Sequence, residues 1–118
     1  FIETTYGIDE GAAAFAQLMD APIRPTAVFC GNDVLAAGAL RKARELGIKV
    51  PNDVSIIGFD DIELAHVVHP PLTTVHVPHR EMGRRAALAL VNLLQKGEQP
   101  ETINLKAHPV FRGTLAPV

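Results

Sequence analysis

Thr26-Ala27-Val28-Phe29-Cys30-Gly31-Asn32-Asp33 and Val54-Ser55-Ile56-Ile57-Gly58-Phe59-Asp60-Asp61 share one design. Each is a short apolar run that breaks at glycine and ends in two polar residues. Such runs predict buried strands, over Thr26 to Cys30 and over Val54 to Phe59. Between them, Leu35, Ala36, Ala39, Leu40, Ala43 and Leu46 recur at helical spacing, with Arg41, Lys42, Arg44 and Glu45 interleaved. That predicts a helix over Val34 to Leu46, with Gly47 placed for a left-handed C-terminal cap. Strand, helix, strand is the unit of a parallel sheet. In such sheets ligands bind beyond the carboxyl ends of the strands. Asn32-Asp33 and Asp60-Asp61 sit at those ends.

Working outward, Ile8, Ala12, Phe15, Leu18 and Met19 predict a helix over Ile8 to Met19, closed by Pro22 and Pro25. Ile62 to Val68 predicts a short helix ended by His69-Pro70-Pro71. Thr73, Thr74 and Val75 predict a strand over Leu72 to Val77. A long helix follows from His79 to Lys96, stopped by Gly97, with Met82, Ala86, Ala89, Leu90, Leu93 and Leu94 in one stripe. Ile103, Leu105 and Ala107 alternate with polar residues, which predicts a one-sided strand. Val110 to Leu115 predicts a last extended segment. The fold class is α/β, a mainly parallel sheet flanked by helices.

The 118 residues are enough for one domain, and a chain of this length buries roughly two thirds of its unfolded surface. Apolar residues make up 47% and charged residues 20%, so disorder is excluded as the main state. No apolar run approaches the length of about 18 residues that a membrane span needs, so no membrane partner is expected. Eleven basic against thirteen acidic side chains give a net charge of −2, which argues against a duplex-DNA surface in these residues. The single cysteine, Cys30, makes no internal disulfide. Phe1 heads no charged and apolar leader, so no secretory signal is read, and the chain reads as a piece of a longer protein.

Asn32 and Asp60 are the sharpest pair. An amide offers a donor and an acceptor, a carboxylate offers acceptors, and together they suit a polyhydroxylated or amine-bearing small molecule. The blander alternative is that Asn32 or Asp33 caps the next helix while Asp60 and Asp61 shape a turn. Asp60 and Asp61 make a poor acid/base pair, because adjacent residues on extended chain point apart. A phosphoacceptor aspartate lacks a strand-end lysine. His66, His69, His76 and His79 form two His-x2-His pairs, but Pro70 and Pro71 interrupt them, so no metal is expected. Cys30 reads as a small buried hydrophobe rather than a nucleophile. No phosphate-binding loop is present. No cofactor and no enzymatic activity are expected.

Three segments in order carry a resemblance: Pro25 to Asp33, Val50-Pro51-Asn52-Asp53-Val54 through Asp61, and Pro70-Pro71-Leu72-Thr73-Thr74-Val75. With Arg112-Gly113-Thr114-Leu115-Ala116-Pro117, they resemble the effector-binding domain of lactose-repressor/galactose-repressor type transcription regulators. The resemblance implies a partial periplasmic-binding-protein-like lobe. Residues 1–78 and 108–118 would belong mostly to the C-terminal lobe, and residues 79–107 would cross to the N-terminal lobe. Tyr6 would stack on the effector, as an aromatic face does on a sugar or base. Asn32 and Asp60 would reach into the cleft, and His79 would stand near the crossover.

The partners so implied are a small-molecule effector, operator DNA only through an N-terminal helix-turn-helix domain outside these residues, and a second copy. The setting implied is cytoplasmic. A periplasmic solute-binding protein for transport is the alternative of the same fold. The apolar stripe of the long helix is expected to face water in this chain alone, which favours a homodimer or a domain-swapped assembly.

Overall fold

The computed structural model of the protein describes residues 1–116; Pro117, which ends the last motif above, and Val118 lie outside the described residues. The element order is α1 (Ile8–Met19), β1 (Ala27–Phe29), α2 (Asp33–Glu45), β2 (Ser55–Ile57), α3 (Leu64–Val67), β3 (Thr74–His76), α4 (His79–Lys96) and β4 (His108–Val110). The chain divides into two compact units. One holds Phe1–His76 with the chain from Pro109 on, and the other holds Val77–His108.

In the first unit β1 and β2 pair in parallel, with Val28 opposite Ile56 and Phe29 opposite Ile57. Parallel bridges from Ile57 to Thr73 and from Asp60 to His76 bring the β3 segment alongside β2. β4 pairs with β3. The expected parallel α/β architecture is therefore present, in strands of three residues each.

The core gathers Phe15 and Met19 of α1, Val28 of β1, Leu35, Ala36, Ala39, Leu40 and Ala43 of α2, with Val54, Ile56, Ala65 and Leu72. Small residues let α1 and α2 meet closely. A Cβ on Gly11 would collide with the Leu35 carbonyl, and one on Gly38 with the Ile8 carbonyl. Thr114 ties the returning chain into the sheet. Its hydroxyl accepts from the Thr73 N–H at 2.8 Å and donates to the Ile56 carbonyl at 2.6 Å.

β1 is not buried on both faces as its sequence predicts. Val28 points into the core, while Phe29 is 62% exposed, because among the described residues no layer buries the other face of this strand.

The second unit is built on α4, which runs from His79 to Lys96 and ends at Gly97 in the left-handed conformation, φ 72°. α4 buries none of its residues, and Met82, Leu90 and Leu94 are exposed. The strand expected over residues 103–107 is absent. That stretch has no ladder partner, and alternation alone does not make a strand.

Candidate functional site

The carboxyl edge of β1 and β2 is closed by two backbone hydrogen bonds. Cys30 donates to the Ile57 carbonyl at 2.8 Å, and Asp33 donates to the Phe59 carbonyl at 2.9 Å. Asn32 immediately precedes the second donor and Asp60 immediately follows its acceptor. That one bond therefore sets Asn32 and Asp60 side by side on the edge. Phe29 and Phe59 meet edge to face across it, with ring centroids 6.4 Å apart.

Each expected residue has a definite place. Tyr6 is 75% exposed and lies over Gly31, where a Cβ would sit 3.7 Å from its ring. It lines a groove of about 800 Å³ along β1, together with Phe1, Phe15, Leu18, Phe29 and Leu35. Asn32 is the N-cap of α2, and its Oδ1 accepts from the Leu35 N–H at 2.8 Å. The capping alternative is thus realised for Asn32 rather than Asp33, and the amide nitrogen is the group it can offer a ligand.

Asp60 is half-buried and held at φ 106°, a region that side-chain-bearing residues seldom enter. Its N–H donates to the Val75 carbonyl at 3.0 Å. His79 belongs to the second unit, as the first residue of α4, and is exposed.

Two carboxylates that the sequence reading treated as turn or cap residues organise the edge. Asp33 is fully buried; its Oδ1 accepts from the Thr74 hydroxyl at 2.5 Å and its Oδ2 from the Ile62 N–H at 2.8 Å. Gly58 has no room for a side chain, because a Cβ there would strike the Asp33 carboxylate.

Asp61, at φ 58°, accepts from Arg112 Nη2 at 2.6 Å and lies 2.9 Å from His76 Nδ1. Burial pushes the Asp61 carboxyl up. The hydrogen bonds of Arg112 and His76, with the Arg112 charge, outweigh it and hold the group below the usual carboxylate value. Arg112 also approaches His66 Nε2 at 3.2 Å. His66 Nε2 stands 3.6 Å from Asp61 Oδ1, so the imidazole, the guanidinium and the carboxylate form one cluster.

Burial, reinforced by the Asp33 charge, pushes the Cys30 thiol up to about 12. A thiol so held is not a nucleophile at neutral pH. Among the described residues no three His, Cys, Asp or Glu side chains are grouped to hold a metal ion. No helix among them is long and apolar enough to cross a membrane. The edge thus offers aromatic faces, an amide and a carboxylate at the end of a parallel sheet, which is the equipment for holding a polar small molecule.

The periplasmic binding protein-like domain family matches residues 1–115. The chain belongs to that family. Among its members, the transcriptional repressor CytR of Escherichia coli (strain K12) is 50% identical over 90 residues, 76% of this chain and 26% of the repressor. A LacI family transcriptional regulator from Enterococcus faecium with bound ribose superposes with a TM-score of 0.89 at 34% identity, over 98% of this chain and 42% of that one. The transcriptional regulator CelR in complex with cellobiose gives 0.85 at 36% identity, over 92% and 34%. The chain spans about a quarter of the length of that curated repressor. These relatives are transcription regulators.

Proposed function

We propose that the chain is the effector-sensing portion of a bacterial transcription regulator. It takes a small polar metabolite, a sugar or a related molecule, and so alters the grip of a separate helix-turn-helix segment on operator DNA. The observation that carries this reading is the Asp33-to-Phe59 hydrogen bond, which sets Asn32 and Asp60 on one sheet edge. Tyr6 supplies the stacking face, Asn32 a donor and Asp60 an acceptor. That solved relatives hold ribose and cellobiose supports a sugar-sized ligand.

Residues 1–78 and 108–118 would belong mostly to the C-terminal lobe, and residues 79–107, with His79 at their head, would cross to the N-terminal lobe. A regulator of this kind works in the cytoplasm as a homodimer and catalyses nothing. DNA is reached through other residues, since this chain carries a net charge of −2. The effector acts by differential affinity for two arrangements of the intact protein.

Calorimetry on the full-length protein with a panel of pentoses, hexoses, disaccharides, nucleobases and nucleosides tests the reading. A charge-assisted hydrogen bond contributes about 1.5–3 kcal/mol, so Asp60→Ala weakens the binding panel member by about 10- to 150-fold. Unchanged affinity overturns the assignment of Asp60.

A further inference from the structure

The geometry points to Asp61 and Arg112 as positioning residues for Asp60. They act by fixing the turn that carries its carboxylate to the sheet edge. This rests on the reading of Asp60 as a ligand contact.

Asp60 and Asp61 are consecutive residues at positive φ, 106° and 58°. L-residues hold such a pair only where surrounding contacts over-determine it. The backbone contributes one tie, from the Asp60 N–H to the Val75 carbonyl. The Asp61 side chain contributes two more. One oxygen takes Arg112 Nη2 at 2.6 Å and the other lies 2.9 Å from His76 Nδ1, on the strand that Asp60 itself bridges.

Arg112 is anchored in turn. Its Nη1 donates to the Leu72 carbonyl at 2.8 Å, and its N–H donates to the Thr73 hydroxyl at 2.9 Å. The pair is well shielded, with side chains 14% and 11% exposed, so it is a fixed contact rather than a solvent-averaged surface pair. The turn after β2 is therefore clamped to the start of β3 by a guanidinium 51 residues away in sequence. Without the clamp the Asp60-Asp61 backbone relaxes toward ordinary φ values and the Asp60 carboxylate leaves its place.

Two measurements on the full-length protein test this: amide hydrogen exchange and titration with D-ribose and cellobiose. The variants are Asp61→Asn, Arg112→Lys and Arg112→Met, with Asp60→Ala as reference. The Asp60 amide is expected to exchange about 10-fold or more faster in Asp61→Asn and Arg112→Met, while the Cys30 amide, bonded to Ile57, keeps its protection. Sugar affinity is expected to fall by about 10-fold in Asp61→Asn, and not to fall further when Asp61→Asn is added to Asp60→Ala.

Unchanged exchange at Asp60 overturns the proposal, and so do additive losses in the double variant. Should Arg112→Met fail to fold, Asp61→Asn and Arg112→Lys carry both measurements. An Asp60→Ala variant that binds both sugars as the parent does, or a parent that binds neither sugar nor any other member of the panel above, overturns the ligand reading and with it the role of the clamp in binding. The exchange rates then report separately whether the clamp holds the turn.

Discussion

Asp33 and Thr74 are joined through a 2.5 Å hydrogen bond between a fully buried carboxyl group and a fully buried hydroxyl, 41 residues apart in sequence. The bond links the N-terminus of α2 to β3, and the other Asp33 oxygen holds the Ile62 N–H after the β2 edge. A bond to a charged group contributes about 1.5–3 kcal/mol, and removing the acceptor strands a buried hydroxyl and a partly buried N–H. Thr74→Val is therefore expected to cost about 1.5–3 kcal/mol, and Asp33→Ala more. Urea unfolding midpoints at constant slope check this. A Thr74→Val midpoint equal to the parent's contradicts it.

Tyr6 stands exposed over Gly31, and no side-chain hydrogen bond fixes it to the fold among the described residues, so its removal should spare stability. Aromatic stacking contributes about 0.5–1.5 kcal/mol, which is about 2- to 13-fold in affinity. Tyr6→Ala in the intact protein is expected to weaken the effector by that factor, and Tyr6→Phe to leave it nearly unchanged. Calorimetry separates the two variants. Equal losses in both would mean that the phenol hydroxyl, not the ring face, meets the ligand.

Cys30 is expected to resist alkylation by iodoacetamide at pH 8 in the folded protein and to react once urea unfolds it. Burial and the nearby Asp33 charge hold its pKa near 12 against 9.0 when unperturbed. The direction for stability follows from proton counting. Above about pH 9 the unfolded thiol gives up its proton and the folded one does not, so the unfolded state gains and stability falls as pH rises toward 12. Cys30→Ala should flatten that part of the pH–stability curve. Fast native alkylation at pH 8 would show that the thiol is not shielded as its surroundings require.

The helices were legible because their signals are local. Pro78 and Gly97 bracket α4, and the apolar spacing between them sets both of its ends. The carboxyl-edge pair was legible because each strand announces its own end. What stayed hidden depends on distance in sequence. Asp33 and Asp61 read as cap and turn residues because their partners, Thr74 and Arg112, lie 41 and 51 residues away, and no spacing rule spans such gaps. The strand expected over 103–107 failed for the converse reason. Ile103, Leu105 and Ala107 alternate correctly, but a strand exists only where another strand offers its ladder. Phe29 was missed because an apolar run does not say which of its residues a neighbouring layer covers.

The exposed face of α4 leads to the last prediction. Met82, Leu90 and Leu94 are exposed on an 18-residue helix that buries none of its residues. Fully covering a large apolar side chain contributes roughly 1.5–3 kcal/mol, and these three are 46%, 56% and 76% exposed, so covering what remains contributes roughly 3–5 kcal/mol per chain. A pair covers the stripe on both copies, so the gain doubles and stands against the entropy of pairing. The 118-residue chain made by itself is therefore expected to self-associate through α4, as a dimer or a domain-swapped pair. Leu90→Glu with Leu94→Glu should return it to a monomer. Light scattering coupled to size exclusion reads the outcome. A well-folded parent running as a monomer of 12.7 kDa would show that water tolerates this stripe and that α4 does not drive assembly.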